Sequence, residues 1–210
     1  MTRVKICGTT TQEDLRVIEQ AGADAFGVIV TDLETPRGVS PATARSLVAA
    51  ASPLITSVLV CTPEHPVDAV ELVEAIGPDR VQIHGHHPPA AIQEAVETLG
   101  CPVVAVTDPA GLGAYRDVEV GPAAVLVDSL TAEGAGGTGE QVDLSRVTAA
   151  MEGVDLPCII AGGLRVDTVA DVVGRLHPYA VDVASGVEAA PGRKDPSAVR
   201  SFIAAARGAF

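Results

Sequence analysis

The run Pro157-Cys-Ile-Ile-Ala-Gly-Gly163 decides the fold, because it is a short, almost continuous apolar stretch that ends in two glycines. A run of the same kind, Ala180-Val-Asp-Val-Ala-Ser185, follows after a segment with helical spacing. Apolar runs without polar alternation are typical of strands that are covered on both faces, as in a parallel sheet. These residues therefore predict two parallel strands joined by a helix.

The same alternation of strand and helix occurs eight times along the 210 residues. Eight alternating units without a long linker favour a closed parallel barrel over an open doubly wound sheet. We therefore predict a (β/α)8 TIM barrel, an α/β fold with a closed sheet of eight parallel strands, and we assign residues 1–210 to a single domain. The predicted strands are residues 3–8, 25–30, 55–61, 80–85, 102–107, 123–128, 157–163 and 180–185.

The predicted helices begin at polar caps or first-turn prolines, and glycines mark where several of them end. The clearest helices are residues 11–21, 42–51 and 197–207. The fifth helix, around residues 111–119, has a weak pattern, and we expect it to be short or irregular. The glycines expected at helix ends are Gly22, Gly77, Gly100, Gly153 and Gly174.

The charge of the chain excludes several classes of partner. It carries 27 acidic and 14 basic residues, a formal charge of −13, and Lys5 and Lys194 are its two lysines. Such a charge repels nucleic acid and anionic membranes, so we expect neither as a partner. An acidic, lysine-poor surface is typical of proteins from salt-loving organisms, with high-GC coding bias as the alternative explanation.

The chain shows no signal of a membrane anchor or of a metal site. No stretch approaches the roughly 20 apolar residues of a transmembrane helix, and the amino terminus resembles a strand more than a signal peptide. We therefore expect a cytoplasmic protein. The run of His84, His86 and His87 lacks a matching carboxylate cluster, so no metal is predicted. The four cysteines lack CxxC spacing, which argues against zinc and redox motifs.

Active sites of such barrels lie at the carboxyl ends of the strands, and polar or glycine-rich segments follow several of them here. Glycines after the seventh and eighth strands allow backbone N–H groups to approach an anion, which favours a phosphate site over a purely steric need for tight turns. The segments are Lys5-Ile6-Cys7-Gly8, Thr35-Pro36-Arg37, Gln82-Ile83-His84-Gly85, Asp128-Ser129, Ala161-Gly162-Gly163-Leu164 and Ser185-Gly186-Val187-Glu188.

Residues 134–139 match the bare GxGxxG pattern. The acidic residue expected about 20 positions later in a dinucleotide site is absent, so we reject that function. A mobile glycine-rich loop that includes Gly137 and closes over a substrate is the better interpretation.

Cys7 and Asp128 end the first and sixth strands, so they are expected to face each other across the barrel rim. A thiolate and a carboxylic acid can act as a proton-transfer pair, which requires a lowered thiol pKa and a raised carboxyl pKa. From residue type alone, a small buried cysteine is the more ordinary role for Cys7. Asp128 serves equally well as a cap.

These segments, together with Gly136-Gly137-Thr138-Gly139, Pro191-Gly192 and Lys194-Asp195, resemble in order the motifs of the phosphoribosylanthranilate isomerase family of tryptophan biosynthesis. The resemblance covers nearly the whole chain. It implies a cofactor-free aldose–ketose isomerase of the intramolecular oxidoreductase type. The reaction is the Amadori rearrangement of N-(5-phosphoribosyl)anthranilate to 1-(2-carboxyphenylamino)-1-deoxyribulose 5-phosphate.

The resemblance also implies roles for individual residues. Asp128 is the expected general acid, Cys7 the expected general base, and Arg37 the expected partner of the anthranilate carboxylate. Gln82 and His84 line the floor of the site in supporting roles, although a structural His84 is equally compatible with its position. The phosphate and the rest of the substrate are expected at Gly137, Gly162, Gly163, Ser185 and Gly186. The phosphorylated small molecule is the expected partner, bound by a monomer or a homodimer.

Two departures from the family pattern and two rival functions stay open. The usual Ser-Pro-Arg is Thr35-Pro36-Arg37, and the usual Cys-Gly-Leu-Thr is Cys7-Gly8-Thr9-Thr10, but both keep the functional side chain. The histidine-pathway isomerase would need an aspartate on the first strand and a second glycine-rich phosphate site. A non-catalytic phosphate-binding barrel would need neither Cys7 nor Asp128.

The acidic composition predicts that the fold loses stability when salt is removed. Self-repulsion of the −13 charge is screened over about 3 Å at 1 M salt and about 30 Å at 0.01 M. We expect the midpoint of thermal unfolding to rise steadily between low and molar salt. Equal midpoints at both extremes would contradict the halophilic interpretation.

Overall fold

In a computed structural model that describes residues 1–116, 118, 120–128 and 144–208, eight parallel strands close into a barrel. Each strand pairs with the next, and β8 pairs with β1 to complete the ring. The predicted TIM barrel is therefore confirmed. The strands are β1 (Arg3–Ile6), β2 (Ala25–Ile29), β3 (Thr56–Cys61), β4 (Arg80–Ile83), β5 (Val103–Thr107), β6 (Ala124–Val127), β7 (Cys158–Ile160) and β8 (Ala180–Val183).

Six of the eight predicted strands run one to three residues too far at their carboxyl ends, whereas β3 and β5 end where predicted. The prediction for β7 extends to Gly163, but the strand ends at Ile160, and Gly162 and Gly163 have φ values of +86° and +62°. Glycine adopts this left-handed region readily, whereas a strand cannot continue through it. The apolar pattern thus includes the first loop residues, which form the barrel rim.

Within the described residues, seven helices surround the strands: α1 (Gln12–Gln20), α2 (Pro41–Ala50), α3 (Val70–Ile76), α4 (Pro89–Thr98), α5 (Leu144–Met151), α6 (Val169–Leu176) and α7 (Pro196–Arg207). Side chains of Thr11, Ser40 and Asp195 cap α1, α2 and α7, as their sequences indicate. In the fifth unit a short 3₁₀ turn, Leu112–Tyr115, replaces the helix, so the expectation of an irregular segment is confirmed. None of the described helices is long and apolar enough to cross a membrane.

One predicted helix end is wrong. Gly174 lies inside α6, which continues to Leu176 and ends at His177 in the left-handed conformation, with φ of 44°. A side chain at position 174 would meet open space, so this glycine is compatible with a regular helix. Gly22, Gly77, Gly100 and Gly153 do have positive φ next to helix ends.

The strands bury two different faces. Residues such as Val4, Val81 and Val181 point outward and pack with the helices in one large hydrophobic cluster. The alternate residues point into the barrel, where two smaller apolar clusters lie. Side chains therefore fill the interior, as expected of an eight-stranded barrel. Inside it lie three buried polar residues, Lys5, Gln82 and Asp182.

At the amino-terminal end of the barrel, Asp24 holds β1 and α7 together. Its Oδ2 accepts hydrogen bonds from the backbone N–H of Val4 at 2.8 Å and from Nη2 of Arg207 at 2.9 Å. Asp79, which directly precedes β4, accepts in the same way from the backbone N–H of Ser57 at 2.8 Å. An aspartate before a strand thus supplies the acceptor for an amide of the neighbouring strand. The assignment of residues 1–210 to a single domain stays a prediction.

Replacing Asp24 by alanine is expected to lower the free energy of unfolding by about 1–3 kcal/mol, because the N–H of the fully buried Val4 loses its acceptor. Urea unfolding followed by circular dichroism at molar salt measures the loss. Asp167→Ala is the matched control, since its exposed carboxylate pairs only with an exposed arginine and should change stability by less than about 0.5 kcal/mol. Equal losses in the two variants would contradict this assignment.

Candidate active site

A cavity of about 400 Å³ lies at the carboxyl ends of the strands. Its volume falls within the range of about 300–1,000 Å³ that small-molecule sites occupy. Seven of the residues predicted for the site line it: Cys7, Arg37, His84, Asp128, Gly162, Gly163 and Ser185. The structure therefore brings together the residues that directly follow β1, β4 and β6 and residues of the loops after β2, β7 and β8.

Two other predicted residues lie outside the cavity lining. Gln82, two residues before His84, is buried inside the barrel. Gly186 follows Ser185, and a side chain at this position would collide with the carbonyl oxygen of Leu164. Gly137 lies outside the described residues. Within the described ranges, no three His, Cys, Asp or Glu side chains come together as metal ligands.

A larger cleft of about 610 Å³ lies at the opposite end of the barrel, between α2, the start of β3 and α3. It contains none of the predicted site residues. Because the functional groups of these barrels gather at the carboxyl ends of the strands, we assign the site to the smaller cavity.

Cys7 lies at the inner edge of the cavity and is 6% exposed. Burial raises the pKa of its thiol above the usual value, and the ammonium of Lys5 opposes this shift by its charge and as a hydrogen-bond donor. The lowered thiol pKa expected for a catalytic base is therefore not found. Gly27 on β2 makes room for both groups, since a Cβ there would lie 2.9 Å from the Cys7 sulphur and 3.2 Å from Nζ of Lys5.

Lys5 forms a buried ion pair with Asp182. Its Nζ lies 3.0 Å from Oδ2 and 3.1 Å from Oδ1, and the two side chains are 5% and 8% exposed. Burial alone would lower the pKa of Lys5, but the carboxylate of Asp182 raises it above its usual value. The ammonium therefore stays charged inside the barrel.

His84 both faces the cavity and is held from below. The side-chain nitrogen of Gln82 lies 2.7 Å from Nε2 of His84. Burial, reinforced by the charge of Lys5, lowers the pKa of His84 to about 4, so the ring is neutral at physiological pH. With the amide nitrogen as donor, the ring carries its proton on Nδ1. His84 thus makes a structural contact with Gln82 and also lines the cavity.

Arg37 is fixed by Glu188 before any ligand binds. Its Nε and Nη2 donate to the two carboxylate oxygens at 2.9 and 2.8 Å, a bidentate geometry. Lys194 donates to Oε1 of Glu188 at 2.9 Å and to the carbonyl oxygen of Ala184 at 3.2 Å. Burial works against the charge of Glu188, but the hydrogen bonds from Arg37 and Lys194 hold the pKa of its carboxyl below the usual value.

Reasoning from the sequence missed several residues of this site. Lys5 and Glu188 are part of quoted motifs but received no role, and Asp182 was counted only as part of a strand. A charged residue inside an apolar strand is the signal that could have identified Lys5 and Asp182. Two hydroxyls on the cavity wall, those of Thr31 and Thr62, contact each other and had no sequence signal.

The chain is similar to known proteins over nearly its whole length. The family model described as N-(5'phosphoribosyl)anthranilate (PRA) isomerase matches residues 4–205. The N-(5'-phosphoribosyl)anthranilate isomerase of Natronomonas pharaonis is 47% identical over 99% of both chains. That of Halobacterium salinarum is 46% identical over 98% of this chain and 96% of its own. These relatives come from halophilic archaea, which confirms the halophilic origin predicted from the composition.

Solved structures agree. The phosphoribosylanthranilate isomerase of Thermotoga maritima is 29% identical, covers 99% of this chain and 100% of its own, and superposes with a TM-score of 0.84. A phosphoribosylanthranilate isomerase in complex with reduced 1-(o-carboxyphenylamino)-1-deoxyribulose 5-phosphate is 28% identical over 99% of this chain and 100% of its own, with a TM-score of 0.82. The chain therefore belongs to the N-(5'-phosphoribosyl)anthranilate isomerase family.

Proposed function

We propose that the chain converts N-(5'-phosphoribosyl)anthranilate to 1-(2-carboxyphenylamino)-1-deoxyribulose 5-phosphate in tryptophan biosynthesis. The observation that carries this proposal is that Cys7, directly after β1, and Asp128, directly after β6, line one cavity. The family match supports the identity of the reaction. The reaction moves hydrogen within one molecule, oxidising C2′ and reducing C1′, so it belongs to the intramolecular oxidoreductases and needs no external electron acceptor.

The chemistry needs two proton transfers. Asp128 protonates the ribose ring oxygen, and the nitrogen lone pair opens the ring to an iminium ion. The Cys7 thiolate then removes the C2′ proton, and the electron pair neutralises the iminium to give an enolamine. The enol loses its hydroxyl proton while C1′ gains one, which completes the ketone. Cys7 and Asp128 are each 6% exposed, so protein dipoles replace much of the water around the charge that develops on them.

Different residues of the cavity wall suit the two charged groups of the substrate. Arg37 has its Nε and Nη2 occupied by Glu188, so Nη1 is the guanidinium nitrogen we assign to the anthranilate carboxylate. Gly162 and Gly163 line the wall with left-handed backbone next to Ser185, which suits a phosphate bound by backbone N–H groups. Gly186 lets that loop lie against the carbonyl of Leu164.

Assembly and location complete the proposal. The isomerase of Thermotoga maritima is described as dimeric, and we propose a monomer or a homodimer for this chain. A cytoplasmic location, the absence of nucleic acid partners and the closing role of the loop with Gly137 stay predictions.

Replacing either proton-transfer residue is expected to reduce turnover by about 10²- to 10⁴-fold while ligand binding is retained. The variants are Cys7→Ser and Asp128→Asn. Consumption of enzymatically generated phosphoribosylanthranilate is followed by its fluorescence, and binding is measured with the reduced product analogue. Cys101→Ser and Asp155→Asn make the same chemical changes outside the cavity and should leave turnover unchanged. No turnover by folded wild-type chain at low and molar salt would favour another phosphate-binding barrel.

The pH profile of kcat/KM is expected to decline on its alkaline side only above the usual thiol range, a pKa of about 8.5. The reactive form holds a protonated Asp128 and a deprotonated Cys7, so its fraction is constant between their pKa values and falls outside them. Because burial raises the pKa of Cys7, the decline moves to higher pH than for a free thiol. An alkaline decline centred below pH 8 at constant ionic strength would contradict this assignment of the base.

A further inference from the structure

The closure of the barrel places a charge pair directly beneath the proposed base. In the register of β1 with β8, Lys5 lies opposite Asp182, and the next residue of β1 that points inward is Cys7. Lys5 is 4% exposed and Asp182 is 7% exposed. Moving both charges out of water is expensive, so such a pair needs close geometry, which the 3.0 and 3.1 Å contacts provide.

The ammonium of Lys5 and the sulphur of Cys7 share one small space. Both lie within 3.2 Å of the point that a side chain at Gly27 would occupy. A larger residue at that position would push the two groups apart or displace one of them. The absence of a Cβ at Gly27 thus leaves the space in which the fixed ammonium and the thiol lie near each other.

Other charged or titratable groups also lie around Cys7, and the charge of Lys194 favours the thiolate less strongly than that of Lys5. Lys194, on the hairpin strand Arg193–Lys194, pairs with Glu188, which also binds Arg37. His84 on β4 is neutral at physiological pH, and Asp128 on β6 faces the same cavity. Asp182 on β8 is the nearest buried carboxylate to Lys5. Lys5 is the cation that acts most strongly on the thiol, and its Nζ lies with the sulphur beside Gly27.

We propose that Lys5, held in place by Asp182, is a positioning residue that stabilises the thiolate of Cys7 when it accepts the C2′ proton. This inference rests on the proposed function only for the use made of the thiolate. The physical claim concerns the acidity of Cys7, which exists without substrate. Asp182 holds the ammonium of Lys5 in place and partly offsets its charge. The carboxylate of Asp182 raises the pKa of the Cys7 thiol, whereas the ammonium lowers it.

The experiment measures the rate at which iodoacetamide alkylates Cys7, resolved by mass spectrometry of the Cys7 peptide, between pH 7 and 10. Only the thiolate reacts, so the rate reports the acidity of the thiol. Lys5→Met is expected to lower the rate at neutral pH about 3- to 50-fold. This range follows from a shift of about 1–3 pH units, reduced by the greater nucleophilicity of a more basic thiolate. The half-buried Cys101 in the same sample is the internal reference.

Two further variants separate charge from structural damage. Lys5→Met alone leaves Asp182 buried without a partner, whereas Lys5→Met with Asp182→Asn removes both charges and is expected to remain folded. Both are expected to slow alkylation and to move the alkaline decline of kcat/KM to higher pH, because Lys5 acts on the thiol more strongly than Asp182 does. Arg3→Met removes an exposed cation from the same strand and should change neither quantity.

Unchanged alkylation of Cys7 in the double variant would overturn the inference, whatever happens to turnover. If the Lys5 variants slow the alkylation of Cys7 but the wild-type chain has no isomerase activity, this inference is supported and the proposed function is wrong. A loss of kcat without any shift in alkylation or in the pH profile would assign Lys5 a merely structural role.

Discussion

The pairing of β8 with β1 is the constraint on which the rest of the structure depends. It closes the sheet, and its register brings Lys5 and Asp182 face to face inside the barrel. A slip of β1 by one residue would turn Lys5 toward the helices and their apolar neighbours, so the ion pair and the hydrophobic pattern require the same register. Closure also brings Cys7 to the level of Ala184, at the start of the loop expected to bind phosphate.

A second network holds the rim. Glu188 follows the short turn after β8 and forms an ion pair with Arg37 of the β2 loop. Lys194 forms a second ion pair with Glu188. The backbone N–H of Lys194 donates to Asp14 in the first turn of α1 at 3.0 Å. Three segments distant in sequence, the β2 loop, the start of α1 and the hairpin after β8, thus fix one guanidinium. The entropy of ordering that side chain is lost on folding instead of on ligand binding. The site is arranged for a rigid carboxylate before the substrate arrives.

The sequence allowed the eight strands and most helix ends to be predicted because those features depend on local pattern. Strands buried on both faces give apolar runs, and Ser40 or Asp195 cap helices through neighbours two or three residues away. Rim residues could be placed by their position at strand ends. The pairings of Lys5 with Asp182 and of Arg37 with Glu188 could not, because they join residues 177 and 151 positions apart, and only the register of the closed barrel sets them.

The lysine content connects the composition with the site. The chain has only two lysines, and both are buried, at 4% and 6% exposure, although its other twelve basic residues are arginines. Lys5 and Lys194 each place a compact ammonium between several acceptors in a confined space, a task for which the broad planar guanidinium of arginine is poorly shaped. The two lysines of this chain thus occupy buried positions where the geometry requires a small positive charge. The halophilic surface and the interior of the site are therefore governed by different constraints, screening by salt for one and close contact between unlike charges for the other.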